Sequence, residues 1–273
     1  MKDESGSLLA RLAQNELASR VGSAVGLGAL AIGATLIDGV AFILFWVAAA
    51  AFFLAEFLAM IGYGPLITAT AIGAIGLTAA AIGAVRSSLG LGLAALLIAA
   101  LVIALRAEKR STGLMGAAGL AYAACVALPV VVLRSLPEHG LAWTLWLYAL
   151  VWTTDIGAYF AGRGLGGPKL WPSVSPKKTW SGFVGGTLAG VGVAMLINAA
   201  GAIPPRSPAS VLALALVASL AVQAGDLFES ALKRHYGVKD SSRLIPGHGG
   251  FMDRLDGFAF ASLVLVAGLG VSA

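Results

Sequence analysis

The sequence predicts an all-α, polytopic integral membrane protein with about nine transmembrane helices. Of its 273 residues, 59% are hydrophobic and only 11% are charged, whereas soluble domains carry about 25% charged residues. The mean hydropathy is +0.90, and apolar stretches long enough to cross a bilayer recur along the whole chain. No fixed-period repeat or low-complexity linker is present, so we expect one membrane-embedded domain over residues 1–273.

Nine apolar segments are predicted to span the membrane. They cover about residues 21–37, 39–58, 65–85, 89–105, 113–133, 141–163, 181–200, 209–228 and 255–272. Residues 1–20 mix acids with bases before any apolar run begins, which is not the pattern of a cleavable signal. We interpret them as a short cytoplasmic segment. The single cysteine, Cys125, excludes a disulfide framework.

The placement of basic residues supports this count and gives an orientation. With nine spans, all 18 lysines and arginines fall on the N-terminal side except Arg86, Arg134 and Arg206. Because cytoplasmic loops carry the excess of positive charge, the N-terminus is predicted to be cytoplasmic and the C-terminus outside, in the cell (inner) membrane. A basic cytoplasmic face suits anionic lipid headgroups and phosphorylated substrates. Nucleic acid is a poor candidate, since no soluble basic domain is visible.

Charge is concentrated in residues 226–256, where two acidic clusters flank a cationic stretch. Five polar residues recur there at helical spacing: Asp226, Glu229, Ser230, Lys233 and Arg234. A glycine-rich turn at 246–250 follows, and then Asp253 and Asp256, three residues apart. Carboxylates of this kind suit Mg²⁺, which is often bound through one or two of them plus substrate phosphates. We interpret the window as a metal and phosphate site. The alternative is an ordinary charged cytoplasmic loop.

Two further segments could contribute to this site. Asp155 and Tyr159 lie on one face of the sixth span, and a carboxylate at that depth needs a cavity or a partner. A structural hydrogen bond or an internal salt bridge is the alternative. The next loop carries Lys169, Lys177 and Lys178, which could embrace phosphate but are also ordinary topology signals. Gly182, Gly186 and Gly190 predict close helix packing, within the monomer or between protomers.

The long signature in this window resembles that of the phosphatidate cytidylyltransferases, also called CDP-diacylglycerol synthases. The matching positions are Ser230, Lys233-Arg234, Lys239-Asp240, Ile245-Pro246, His248-Gly249-Gly250 and Asp253-Arg254-Leu255-Asp256. Two upstream elements also match: Trp152, Asp155, Ala158 and Tyr159, and the stretch SPKKTWSGFVGG at 175–186. We take residues 141–260 as the catalytic half, since the N-terminal half matches only in hydropathy.

The resemblance implies transfer of a cytidylyl group from CTP to phosphatidate, which gives CDP-diacylglycerol and pyrophosphate. It implies Mg²⁺ held by Asp226 and Asp253, a weaker expectation of K⁺, and a homodimer. Catalytic roles are expected for Asp226, Asp253, Lys233 and His248. Substrate binding is expected from Asp155, Tyr159, Ser175, Lys177, Lys178, Thr179, Ser230, Arg234, Lys239, Asp240, Gly249, Gly250, Arg254 and Asp256.

Two other functions compete with this one. A transporter would explain Asp155 and the many glycines, but it should show polar groups at the midplane of several spans and often a repeated half. Here the acids gather at one face and no repeat is visible. A CTP-dependent transferase acting on another lipid, such as an archaeal ether lipid or a polyprenol, is the nearer alternative.

Overall fold

The computed structural model describes residues 21–86, 88–247 and 249–270. Within these ranges the chain forms nine helices and one small antiparallel hairpin. The helices are α1 Val21–Ile37, α2 Gly39–Met60, α3 Leu66–Val85, α4 Leu89–Arg106, α5 Arg110–Arg134, α6 Gly140–Leu165, α7 Trp180–Ala199, α8 Pro208–His235 and α9 Met252–Leu269. The strands are β1 Lys169–Trp171 and β2 Ser175–Thr179. The sequence did not predict these strands.

Each predicted apolar segment coincides with one helix, and the largest boundary differences are at the charged window. Helix α8 has 28 residues and continues to His235, past the predicted end near residue 228. At a rise of about 1.5 Å per residue it is about 42 Å long, longer than the hydrocarbon core of about 30 Å. Its charged last two turns therefore continue the helix past the apolar stretch on which the prediction was based.

Six of the described helices are long and apolar enough to cross a membrane: α2, α3, α4, α5, α7 and α8. Helix α1 is apolar but shorter, and α9 carries three charged residues in its first five positions, Asp253, Arg254 and Asp256. The fold is therefore that of an all-α membrane protein. Residues 1–20, predicted to form a cytoplasmic segment, lie outside the described residues.

Helix α2 contacts α3, α5 and α9. The Trp46 ring stacks on Phe258 of α9 with centroids 4.5 Å apart, and Phe53 packs edge-on against Tyr122 of α5 at 4.7 Å. All but Tyr122 are nearly inaccessible to solvent. Such stacked and edge-to-face aromatic pairs add to the apolar burial, so they hold α2 against α9 and α5.

The glycine row of α7 packs directly on α6, which confirms the role predicted for it and places the contact within the monomer. A Cβ at Gly186 would lie 2.7 Å from the carbonyl oxygen of Thr154 and 2.8 Å from the Cβ of Ala158. One at Gly182 would lie 2.8 Å from the carbonyl oxygen of Ala158. The backbones meet at these points, so only glycine allows the two helices to approach so closely.

We expect Gly186→Ala to lower the melting temperature of the detergent-solubilised protein, because the added methyl would force α6 and α7 apart. Gly192 on the same helix has no atom within 4 Å of its own notional Cβ. Gly192→Ala should therefore be neutral or raise stability by up to about 1 kcal/mol, the usual helical preference for alanine. Equal melting temperatures for the two variants would contradict the packing assignment.

Candidate active site

A cavity of about 1560 Å³ lies between α1, α2, α6, the hairpin, α7, α8 and the start of α9. Much of its lining is apolar and comes from α1, with aromatic rings such as Trp46, Tyr148 and Trp152. The rest is strongly charged and comes from α6, the hairpin, α8 and α9. One space therefore joins an apolar surface to a polar one.

Most of the predicted site residues line this cavity. They are Asp155, Tyr159, Ser175, Lys177, Lys178, Thr179, Asp226, Lys233, Asp240, Asp253, Arg254 and Asp256. Five others lie outside the lining, in the structure as described: Ser230, Arg234, Lys239, Gly249 and Gly250. His248 falls outside the described residues, so its expected catalytic role stays a prediction.

Lys233 bridges two acids that are almost completely buried. Its ammonium group lies 2.6 Å from Glu229 Oε2, one turn earlier on α8, and also contacts Asp253 Oδ1 on α9. The Glu229 and Asp253 side chains are 1% and 8% exposed. Buried charges are stable only when they are paired. The lysine therefore holds α8 and α9 together through charge.

The carboxylate of Asp253 is held through both of its oxygens. While Oδ1 contacts Lys233, Oδ2 accepts hydrogen bonds from Ser241 N at 3.1 Å, Ser241 Oγ at 2.8 Å and Gly250 N at 2.8 Å. Gly249 has φ +84°, and a Cβ there would lie 2.6 Å from Oδ2. The two glycines of the signature thus fold the loop tightly around this carboxylate.

Asp226 is more open than Asp253. Its Oδ2 pairs with Lys178 of β2, and its Oδ1 receives only a long contact of 3.5 Å from Ser230 Oγ. The hairpin therefore places the Lys178 ammonium group against Asp226, one of the acidic residues of α8. The next residue, Thr179, accepts a hydrogen bond from Gly182 N at 3.1 Å and so caps α7.

Two predicted substrate-binding residues, Tyr159 and Arg234, make local contacts. Arg163 donates to the hydroxyl of Tyr159 at 2.7 Å, one turn earlier on α6. Arg234 donates to the carbonyl oxygen of Val238 at 2.9 Å, just beyond the end of α8. Both side chains are exposed. Tyr159 and Arg163 both line the cavity, and Arg234 stabilises the loop that follows α8.

Glu56 of α2 is a site residue that the sequence analysis missed. It is 3% exposed and accepts hydrogen bonds from Ser241 Oγ, Ser242 Oγ, Phe251 N and Met252 N at 2.6–3.0 Å. Its position in the sequence could have identified it, because it is the only ionisable residue within the second predicted span. An acid inside a membrane segment is a functional candidate by default.

The carboxylates that line the cavity meet only some of the requirements of a hard divalent cation. Within the described ranges, no three acidic, histidine or cysteine side chains converge as a metal site would require. Asp226 has a carboxylate oxygen with only a weak contact, whereas both oxygens of Asp253 are engaged. Mg²⁺ commonly binds through one or two carboxylates and completes its shell with waters and substrate phosphates. Asp226 is therefore the better-placed ligand.

We expect Lys233→Met to destabilise the protein by about 3 kcal/mol, because it leaves Glu229 and Asp253 buried without their counter-charge. The matched control is Lys239→Met on the exposed loop, which should change stability by less than about 0.5 kcal/mol. Thermal unfolding in detergent measures both variants. A Lys233→Met protein as stable as the wild type would show that the acids are not buried as described.

Comparison with known proteins identifies the family to which this chain belongs. The model of the "Cytidylyltransferase family" matches residues 18–271. A phosphatidate cytidylyltransferase of Brucella suis biovar 1 (strain 1330) is 47% identical over 169 residues, which are 62% of each chain. One of Bacillus subtilis (strain 168) is 44% identical over 130 residues, 48% of each chain. The matched region thus covers less than two thirds of these relatives' length. The match over 18–271 shows that the chain belongs to the cytidylyltransferase family.

Proposed function

We propose that the protein is a phosphatidate cytidylyltransferase, which transfers a cytidylyl group from CTP to phosphatidate. The observation that carries the proposal is the cavity of about 1560 Å³, in which an apolar wall meets a charged one. A substrate with acyl chains and a phosphate needs both surfaces, and a nucleotide triphosphate needs the charged surface. The family membership and the names of the relatives support the same reaction.

The apolar wall suits the acyl chains of a lipid. It is formed by one side of α1, including Val25 and Ile32, together with Trp46 and Trp152. Burial of acyl chains against such a surface is favourable by about 25 cal/mol per Å². A lipid lying there would direct its headgroup toward the charged wall.

The charged wall suits the phosphates of both substrates. Lys177 and Lys178 on β2 and Arg254 on α9 line it from two sides, and charge-assisted hydrogen bonds to phosphate are strong. Lys178 pairs with Asp226 in the structure, and we infer that it exchanges this partner for a phosphate oxygen when substrate arrives. Cations fixed in this way stabilise the negative charge that develops during phosphoryl transfer.

In the proposed reaction a phosphate oxygen of phosphatidate attacks the α-phosphorus of CTP. A new phosphorus–oxygen bond forms, the bond to the β-phosphate oxygen breaks, and pyrophosphate leaves. We propose that Asp226, with Asp253, would hold a magnesium ion that neutralises charge on the phosphates. Asp253 could join only by giving up part of its contact with Lys233 or Ser241. Potassium binding and homodimer formation remain predictions.

We also propose that all nine helices cross the membrane, with the N-terminus and the site at the cytoplasmic face and the C-terminus outside. The distribution of lysine and arginine supports this orientation. So does the position of the charged wall, which lies at one end of α6 and α8.

The reaction is tested with purified protein in detergent, labelled CTP, phosphatidate and magnesium. We expect lipid-soluble label from the wild type and at least about a 100-fold lower rate from Asp226→Asn, since the carboxylate proposed to hold the magnesium ion is lost. Glu138→Gln, an exposed change in the loop between α5 and α6, should keep the wild-type rate. No labelled lipid from the wild type, or a full rate from Asp226→Asn, would refute the proposal. Label appearing only with a polyprenyl phosphate would favour the other lipid substrate.

The orientation is tested with single cysteines at Pro205 and Lys239, which are exposed positions on either side of α8. Cys125 is first replaced by alanine, so that no other thiol is present. In intact cells a membrane-impermeant maleimide should label Pro205→Cys but not Lys239→Cys, because α8 separates the two sites by one membrane crossing. Labelling of both from the outside would contradict the nine-span topology.

A further inference from the structure

We propose that Glu56 is a positioning residue of the active site: from α2 it holds the start of α9 and so fixes the carboxylate of Asp253. This rests on the proposed function, since it assigns Asp253 a part in the reaction. Glu56 lies in the N-terminal half, outside residues 141–260, which the sequence analysis took as the catalytic half. It does not line the cavity, so it would act through its neighbours.

The carboxylate of Glu56 is fully used as a hydrogen-bond acceptor. Oε1 accepts from Ser242 Oγ at 2.6 Å and from Phe251 N at 3.0 Å. Oε2 accepts from Ser241 Oγ at 2.9 Å and from Met252 N at 2.8 Å. A buried acceptor with four donors is held in one position, since each lost bond would leave a buried polar group unpaired.

Two of these donors are backbone groups at the first turn of α9. The first N–H groups of a helix have no acceptor within the helix, and α9 has no side-chain cap of its own. Glu56 supplies the missing acceptor from a helix 195 residues earlier in the chain. Its charge also lies at the positive end of the α9 dipole. The start of α9 is therefore fixed by α2.

Ser241 links Glu56 to Asp253. Its hydroxyl oxygen lies 2.9 Å from Glu56 Oε2 and 2.8 Å from Asp253 Oδ2. A hydroxyl group has a single hydrogen, so the two carboxylates share one donor. The loop closes tightly around this point, because a Cβ on Gly250 would meet both Ser241 Oγ and the carboxylate oxygens of Glu56. A change at Glu56 therefore reaches Asp253 through one shared hydroxyl.

A role confined to holding α2 and α9 together is less consistent with the packing. Phe52 stacks on Phe251 with centroids 5.0 Å apart, and Trp46 stacks on Phe258. These apolar contacts join the two helices without Glu56. Its loss should thus loosen the loop and the first turn of α9 while the helices stay packed.

The first test is Glu56→Gln, which keeps the side-chain shape but replaces one acceptor oxygen with an amide that donates. Two of the four hydrogen bonds are lost, and we expect kcat/KM for CDP-lipid formation to fall about 10- to 100-fold, the usual effect of changing a supporting residue. In a protein that already carries Asp253→Asn, the same change should cost no more than about twofold. Unchanged activity in the single variant, or losses that multiply in the double variant, would overturn the proposal.

The second test does not depend on activity. Hydrogen exchange at the amides of Phe251 and Met252 should be faster in Glu56→Gln than in the wild type, with Glu138→Gln as the unchanged control. If Glu56→Gln does not fold, the same hydrogen exchange is measured in Ser242→Ala, which removes one donor to Glu56 and no contact of Asp253. Exchange at Phe251 and Met252 should again be faster than in the wild type. Unaltered protection in the folded variant would overturn the proposal. If the wild type makes no CDP-lipid, the proposed enzyme function is refuted. The exchange experiment then still tests whether Glu56 fixes the start of α9.

Discussion

The structure depends on the pairing of charges that are buried at one end of an apolar helical bundle. Removing a charge from water costs several kcal/mol even after relaxation, and Glu229, Lys233 and Asp253 are almost inaccessible. Lys233 compensates both acids at once, and this fixes α8 against α9. Glu229 Oε1 has no hydrogen-bond partner in the described part of the chain. An unsatisfied buried acceptor of this kind costs about 1–3 kcal/mol, so the ion pair with Lys233 has to offset that cost as well.

The network reaches beyond the lysine. From Asp253 it continues through Ser241 to Glu56, so a single set of contacts joins α8, the loop after it, α9 and α2. The α6–α7 side of the cavity is positioned differently, by the glycines of α7, which allow the backbones of α6 and α7 to meet. The α8–α9 side is thus fixed by charge and the α6–α7 side by close backbone packing. The cavity lies between them.

The hydropathy pattern predicted all nine helices, because backbone groups in lipid must be satisfied within each span and apolar runs then coincide with helices. The charged window also predicted most of the charged residues that line the cavity, since the spacing of Asp226, Glu229 and Lys233 places them on one helix face. The hairpin was not predicted. Its short strands, Lys169–Trp171 and Ser175–Thr179, lie among glycines and prolines that are typical of loops.

Glu56 could not be assigned a role from the sequence because its four donors lie 185 to 196 residues away. No local pattern encodes a hydrogen bond across that distance, and only its isolation in an apolar span set it apart. The same holds for Ser241, which looks like an ordinary loop residue. Periodicity predicts which face a residue occupies, but the partners on that face come from the packing of distant helices.

These contacts bear on the division of the chain into an N-terminal half and a catalytic half at 141–260. The apolar wall of the cavity comes largely from α1 and α2. Ser23 at the start of α1 donates to the carbonyl oxygen of Pro246, at 3.0 Å, in the glycine-rich turn. Glu56 caps α9 from the same half. The C-terminal motifs therefore carry most of the charged groups, but the acceptor that orders their loop and much of the apolar surface of the cavity come from the first 60 residues. A site built in this way requires both halves.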